Sequence, residues 1–582
     1  MNAPLWLALE HKRIALGESD RVFLLRTGKT VDLDPTEADV LGALATACTL
    51  ERLSERLVGQ GWEKPATSDL QEVLNALQVL GLVVQPAEAL AVLVPTSGGK
   101  DRSPGLAALS WLTCDRPAQL QETLEAWAAQ VKASGMEPPE FVISNDSRQD
   151  ERATQQVVEK FALSYPGRTR HLDREWRRQL VERFPTRLQS SVKFALGLSD
   201  FGVAELPSYG AASNALLLAL AGRQFTLGDD DVLPQFRTRR DAHSGLAFQS
   251  QLDSARILPL AGPSDAVAIS LASSRAPFGP HARYLGRAVP SLLAEEGFDV
   301  EGLSSRDLAG ASLPHARVAA VMFHYWGDSG LSDHRFLLQH RELVDPTTYL
   351  PQEYPKLRQT RQVFRAPLVD TLGGHTVLGG HLAIDGTQLV PPFAPYGRNQ
   401  DGLWSGLLRF LQPESFVLNP REAILHAPRS ERSLTEPGHI EVLPRINDVL
   451  LALLAQLSAS ESNLGVSYAL AGAYLEHWGN RSPGIVQASV GELHARTTLA
   501  LHTRLEEQLE TYGAKPKPWA EDVHRALEHL ERQLRSALPY SPQEFPSSTQ
   551  AIGTYVSNFG KLLAVWPEVW QVAEAKGVWY PA

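Results

Sequence analysis

The chain has 582 residues, 43% hydrophobic and 21% charged, enough to bury several cores and, by length alone, to form about three or four domains. Its formal charge of -11 arises from acids and bases interleaved along the chain, which excludes a general attraction to nucleic acid. The two cysteines, Cys48 and Cys114, exclude a disulfide framework or a cysteine-based zinc site and point to a reducing compartment, the cytoplasm. No run approaches the length of a membrane span, and the first residues lack the order of a signal peptide.

Residues 1–95 read as a small unit. Arg21 to Arg26 and Lys29 to Leu33 alternate around Thr27-Gly28, which predicts a hairpin. Asp34-Pro35 then opens a helix carrying Ala38, Leu41 and Leu44 at helical spacing, and Leu50, Leu53 and Leu57 repeat the pattern to Gly59. Ser68 is the expected cap of a third helix with Leu70, Val73, Leu74 and Leu77 on one face, ended by Gly81 before Leu82-Val83-Val84. Through Val31-Asp32-Leu33-Asp34, Ala38-Asp39-Val40-Leu41, Thr49 to Leu53 and Leu74 to Val83, this segment resembles the PqqD-like winged-helix domains that recognise peptides beside peptide-modifying enzymes. The resemblance implies a leader peptide added as a strand, with the docking edge near Arg21 to Arg26; a purely structural or dimerising role stays open.

Residues 96–105 are rich in Ser, Gly, Lys, Asp and Pro and predict a linker. Beyond it, Leu106 to Leu112 and Phe141 to Ser147 are strands ending in polar residues, with Leu120, Leu124 and Trp127 lining a helix between them. Alternating strand and helix predicts a parallel α/β sheet whose site lies at the carboxyl edge. From Pro444 the character becomes helical: Leu450, Leu453, Leu454 and Leu457, then Leu501, Leu505 and Leu509, then Val523, Leu527, Leu530 and Leu534 form apolar stripes, broken by Gly513, Pro516 and Pro518. The expected organisation is therefore α/β over 106–440, with an insertion around 235–390, and a helical domain over 441–582 that could support a homodimer.

The most informative stretch is Phe225 to Asp231, an apolar run ending in Asp229, Asp230 and Asp231. An Asp-x-Asp pair at a strand end offers oxygen ligands to Mg²⁺ or Mn²⁺ while leaving positions open for phosphates. Acidic clusters also occur in solvated turns. Leu109 to Pro117, Val142 to Ser147, Gly210 to Asn214 and Phe225 to Asp231 together resemble the pieces of a GT-A fold glycosyltransferase, particularly its family-2-like branch. That resemblance implies a nucleotide-sugar donor cupped by the loop holding Thr113, Asp115 and Arg116. Asp146 would lie on the base or ribose, and Asn214, Asp229 and Asp230 would face the donor. Ser213 stands where the family often has an Arg.

The resemblance extends to Pro391 to Trp404, where Asp401 maps onto the base that takes the acceptor proton, although Gln400 replaces its usual acidic companion. A simple helix-capping role for Asp401 is the alternative. Ala423 to Arg429 resembles the closing element, in which His426 joins Asp229 and Asp231 around the metal. The implied function is metal-dependent transfer of a sugar to a peptide, protein or glycan. A nucleotidyltransferase, or a degenerate transferase serving as a peptide-binding scaffold, are the competing readings. His324 to Gly330, with Asp333 and His334, reads as an exposed acceptor-side loop, and His375 and His381 as hairpin residues.

Overall fold

The computed structural model describes residues 4–575 except 16–18, 26, 93–104, 200–207, 251–255, 274, 276–277, 296–297, 314, 332–334, 339–352, 374–376, 378, 430–437, 441, 443–444, 461–466, 514, 537–541, 543 and 546–548. The chain begins with β1 (Leu7–Ala8), β2 (His11–Ala15), β3 (Asp20–Leu24) and β4 (Thr30–Leu33), then α1 (Pro35–Ala43), α2 (Leu50–Gly59), α3 (Thr67–Val79), β5 (Val83–Val84) and α4 (Pro86–Ala91). Asp34 caps α1 by accepting from the Glu37 N–H while the Glu37 side chain accepts from the Asp34 N–H, with Pro35 in the first turn. The third helix departs from expectation: Ala66 is its N-cap, without a side-chain bond, and Ser68 lies inside the first turn.

The predicted hairpin forms, but within a three-stranded sheet in which β3 pairs antiparallel with both β2 and β4. The docking edge expected near Arg21 to Arg26 is corrected accordingly, because the middle strand has its ladder bonds filled on both sides. The edges of this sheet are β2 and β4. The unit is seated on the rest of the chain, with the Ala47 N–H bonded to the Leu303 carbonyl and the Gly302 N–H to the Ala47 carbonyl. Leu7, Ala47 and Leu90 join the core around Val289, Leu303 and Val318. Apart from Gly105, the expected linker lies outside the described residues.

The α/β part starts with β6 (Ala108–Thr113), α5 (Pro117–Ser134), β7 (Glu140–Asn145), α6 (Glu151–Ser164), β8 (Thr169–Leu172), α7 (Arg174–Glu182), α8 (Thr186–Ala195), α9 (Tyr209–Ala219) and β9 (Gln224–Asp229). β6 lies parallel to both β7 and β9, and β7 parallel to β8. The chain therefore steps from β6 outward through β7 to β8, then returns to pair β9 on the other side of β6. This makes a topological switch point at the carboxyl ends of β6 and β9, the position at which open α/β sheets form their binding crevice. Residues Gly210 to Ala219 of α9 are all buried, as expected of a helix apolar around its circumference. Gly210 to Asn214 are part of that helix rather than a segment ahead of it.

There follow β10 (Val232–Arg239), β11 (Leu246–Phe248), β12 (Arg256–Pro259), α10 (Pro263–Ile269), β13 (Ser270–Ala272), α11 (Gly279–Tyr284), α12 (Val289–Glu295), β14 (Phe298–Asp299), α13 (Ser305–Ala311) and β15 (Arg317–Asp328). Next come α14 (Arg335–Leu338), α15 (Tyr354–Leu357), β16 (Gln362–Ala366), β17 (Asp370–Leu372), β18 (His381–Asp385), α16 (Gln400–Leu411), β19 (Ser415–Asn419) and β20 (Glu422–His426). The stretch expected as an insertion supplies strands to the same mixed sheet, whose path is β14-β11-β17-β19-β15-β18-β9-β6-β7-β8. His324 to Asp328 belong to β15, with His324 and Ser329 buried, so the expected exposed loop is corrected; Asp333 and His334 lie outside the described residues. His381 is likewise not a hairpin residue. It sits in the inner strand β18 and stacks on Trp127 with ring centroids 4.9 Å apart, while His375 lies outside the described residues.

The C-terminal part is helical as expected: α17 (Ile446–Ser460), α18 (Tyr468–Gly479), α19 (Pro483–Tyr512), α20 (Lys517–Arg535) and α21 (Thr549–Ala575). Among the described residues these helices enclose no core apart from the sheet. Leu450, Trp478, Tyr555 and Trp566 share one cluster with Leu188, Leu216, Phe225 and Trp404. No helix among the described residues is long and apolar enough to cross a membrane. α18 and α21 cross at glycines: a Cβ on Gly472 would stand 2.6 Å from the Gly560 carbonyl oxygen, and one on Gly560 would stand 2.5 Å from that of Gly472. Gly560→Ala is therefore expected to lower stability by about 1–3 kcal/mol through overpacking. Gly491→Ala in α19, where nothing lies within 4 Å of the new methyl, is expected to raise it by up to about 1 kcal/mol. Denaturant unfolding of both variants beside the parent checks this, and equal effects would contradict the close crossing.

Candidate active site

The crevice at the switch point gathers side chains from four places in the sequence. β9 delivers Asp229 at its carboxyl end, and the turn into β10 carries Asp230 and Asp231. Asp230 points inward: its Oδ2 accepts from the Thr113 hydroxyl at 2.7 Å, and its Oδ1 stands 3.2 Å from Arg116 Nη2. Asp231 lies between two basic groups, accepting from Arg116 Nη1 at 2.8 Å through Oδ2 and facing His426 Nε2 at 3.4 Å through Oδ1. His426 reaches this place because β20 pairs antiparallel with β10, setting His426 opposite Val232.

Asp401 enters from the first turn of α16, whose N-cap is Asn399, so the simple capping reading is corrected. Its Oδ2 accepts from the Gly379 N–H at 2.5 Å. A Cβ on Gly379 would lie 3.3 Å from Asp229 Oδ2 and 3.6 Å from Asp401 Oδ2. The two carboxylates thus face the same residue, and the absence of a side chain there lets both approach.

Crowding of acids in a desolvated crevice sets their ionisation. Burial, with repulsion from Asp231, pushes Asp229 up to about 7, against the pull of Arg116 and His426. Burial also pushes Asp230 up to about 7, opposed by Arg116 and the Thr113 hydroxyl. For Asp231 burial acts the same way, yet the bonds from His426 and Arg116 outweigh it and hold the carboxyl below its usual range. His426, which burial alone would depress, is raised by Asp231. Asp401 is raised by burial, partly offset by the Gly379 and Gly402 N–H groups.

Several residues expected on the donor are engaged elsewhere. Asp115, at φ +52°, accepts through Oδ1 from the N–H groups of Arg148, Gln149 and Asp150, each at 2.9 Å, and so ties down the turn that leads from β7 into α6. Asp146 has both oxygens occupied, one by the fully buried Arg177 at 2.8 Å and the other by the Ser208 hydroxyl. Asn214 is wholly buried and brackets the Phe393 backbone, accepting from its N–H and donating to its carbonyl, while a second bond reaches the Ala195 carbonyl. Asp115, Asp146 and Asn214, expected on the donor, are thus each engaged in bonds within the fold. Ser213 is also buried. Arg116, at 40% side-chain exposure, remains open to the crevice.

Asp229, Asp231 and His426 supply the carboxylate and imidazole donors that Mn²⁺ or Mg²⁺ accepts. Two ligands about 2.1 Å from one octahedral ion stand roughly 3 Å apart, close to the 3.4 Å between His426 Nε2 and Asp231 Oδ1. Among the described residues no three acidic, histidine or cysteine side chains are already gathered as a complete ligand set. The donor types alone match the ion's preference, and an ion on Asp231 Oδ2 would have to displace Arg116, which holds that oxygen.

Arg177, Ser208, Thr123, Gly379 and Asp328 support the site without having been singled out for it. Thr123 donates its hydroxyl to the Asp230 carbonyl. Arg177 gave no signal, since it sits among four other charged residues in a helix that reads as solvated. Asp328 did stand out, within a Gly-Asp-Ser-Gly stretch, but with another role. No protein-family model matches this chain, and no curated protein sequence does.

Stability is expected to fall as pH rises across the window set by the raised carboxyls. Asp229 and Asp230 ionise near pH 4 when unfolded and near 7 when folded, so between these values the folded chain holds more protons. Asp231 acts oppositely, its contribution being present above about pH 4 and lost as pH falls through its depressed folded value. Thermal unfolding from pH 5 to 8 is expected to show the decline, and Asp230→Asn to flatten it. A variant with the parent's slope would contradict the assignment.

Proposed function

We propose that the chain is a metal-dependent glycosyltransferase that moves a sugar from a nucleotide-diphosphate donor to a peptide, protein or other large acceptor. The observation that carries this reading is the approach of Asp231 to His426 and of Asp229 to Asp401 around the carboxyl ends of β6 and β9. An α/β sheet binds ligands at this edge. A Mn²⁺ or Mg²⁺ ion on the first three would neutralise charge developing on the departing diphosphate. Arg116, if released from Asp231, would be available to meet that diphosphate. Asp401, raised by burial, is suited to take a proton from an acceptor hydroxyl or thiol. The N-terminal unit would hold a peptide acceptor by strand addition at the β2 or β4 edge.

The commitment of Asp115, Asp146 and Asn214 to structural bonds favours one other reading, a degenerate transferase that binds peptide without turnover. Incubation with nucleotide sugars and Mn²⁺ separates the two. Release of nucleoside diphosphate only with the ion is expected, and release of pyrophosphate would instead indicate a nucleotidyltransferase. Asp401→Asn should lower turnover by about 10²–10⁴-fold, the usual worth of a general base, while Asp231→Ala should remove metal dependence and turnover together. Full activity in either variant would overturn the reading.

A further inference from the structure

The Gly327-Asp328-Ser329-Gly330 stretch lies directly behind His426. β15 and β20 run parallel with Gly327 opposite His426, and the Asp328 carbonyl oxygen stands 2.7 Å from His426 Nδ1. A carbonyl can only accept, so Nδ1 must carry the hydrogen, which leaves Nε2 as the nitrogen turned toward Asp231. The carbonyl is held in place from behind. Asp328 Oδ2 accepts from Arg361 Nε at 2.8 Å and Oδ1 from Arg361 Nη2 at 2.9 Å, a two-pronged pair with side chains 13% and 8% exposed.

Further bonds lock the turn. The Ser329 N–H bonds to the Arg361 carbonyl at 2.7 Å, and the Gly330 N–H to Asp328 Oδ1 at 2.7 Å. The glycines make room: Gly327 adopts φ +102°, and a Cβ there would meet the His426 carbonyl oxygen at 2.5 Å, while one on Gly330 would stand 3.5 Å from His426 Cε1.

From this geometry we infer that Asp328 and Arg361 are positioning residues that hold His426 in the Nδ1–H form and aim its Nε2 into the acid cluster. The inference rests on the proposed metal role of His426 for its consequence, but not for its structural content. The pair stands behind the imidazole as outer partners stand behind a metal ligand, and loss of such partners weakens metal binding by about 10–100-fold.

The test uses the full chain labelled with ¹⁵N-histidine, with the His426 signals assigned by their loss in His426→Gln, and Mn²⁺ binding followed by electron paramagnetic resonance. The parent is expected to show hydrogen on Nδ1 of the neutral ring. Arg361→Ala should lose that single form and bind Mn²⁺ about 10–100-fold more weakly, with partial recovery in Arg361→Lys. Asp328→Asn keeps the backbone carbonyl and the size of the side chain, so it should fold and shift both readouts in the same direction; it decides the matter if Arg361→Ala does not fold. Hydrogen on Nε2 of the neutral parent ring, or parental signals in Arg361→Ala and Asp328→Asn, would overturn the inference. A parent that binds no Mn²⁺ would overturn the metal reading alone, since the ring signals still decide the positioning role.

Discussion

Electrostatic crowding at the β6–β9 crevice is the constraint around which the site is arranged. Asp229, Asp230, Asp231 and Asp401 approach one another at the end of one strand and the start of one helix. Two unit charges 4 Å apart interact by about 1 kcal/mol in water but about 4 kcal/mol at an effective dielectric of 20. Such a cluster persists only if protons, basic side chains or a bound cation reduce its charge. The structure uses the first two. Asp231 stays ionised because Arg116 and His426 flank its two oxygens, while Asp229 and Asp230 are displaced toward neutrality. A divalent ion would answer the same demand more fully, which connects the electrostatics of the resting crevice to the proposed transfer chemistry.

Support for the crevice comes from polar residues that never touch it. Asp115 ties down the turn before α6, Asp146 pairs with the buried Arg177, and Asn214 clasps the Phe393 backbone. Each uses its hydrogen-bonding capacity to fix a strand end or a helix where otherwise unpaired groups would be buried. The Phe393 segment leads on to α16 and Asp401, so Asn214 links α9 to the element that carries the proposed base. The turn behind His426 has the same logic, with Arg361 and Asp328 holding the carbonyl that orients the ring. Precision at the acid cluster thus depends on bonds distributed over residues far apart in sequence.

Elements with strong local signals were legible from the chain. The Asp34-Pro35 start of α1, the acidic end of β9, the strand and helix around Thr113 and Trp127, and the C-terminal leucine stripes all follow from spacing and capping chemistry. Other features were not legible because no local pattern encodes them. β3 became a middle strand only through pairing with β2, and the region around His324 became β15 only through its neighbours. The stretch expected as an insertion gave β18, which completes the sheet beside β9. Pairing partners, not intrinsic preference, decide whether a short apolar run is an edge, a core strand or a loop.

By itself the sequence determined that three carboxylates would emerge together at a strand end, because chain order places Asp229, Asp230 and Asp231 in adjacent positions after an apolar run. It also determined that the stretch from Pro444 onward would be helical, since apolar residues recur there at helical spacing. Only the tertiary structure decided which oxygens face inward, that Asp401 stands across Gly379 from Asp229, and that Asp115, Asp146 and Asn214 are occupied within the fold. The physical reason is that hydrogen-bond partners and desolvation are properties of what surrounds a group in space, and those surroundings come from segments separated by as many as 381 positions, as with Arg187 and Glu568.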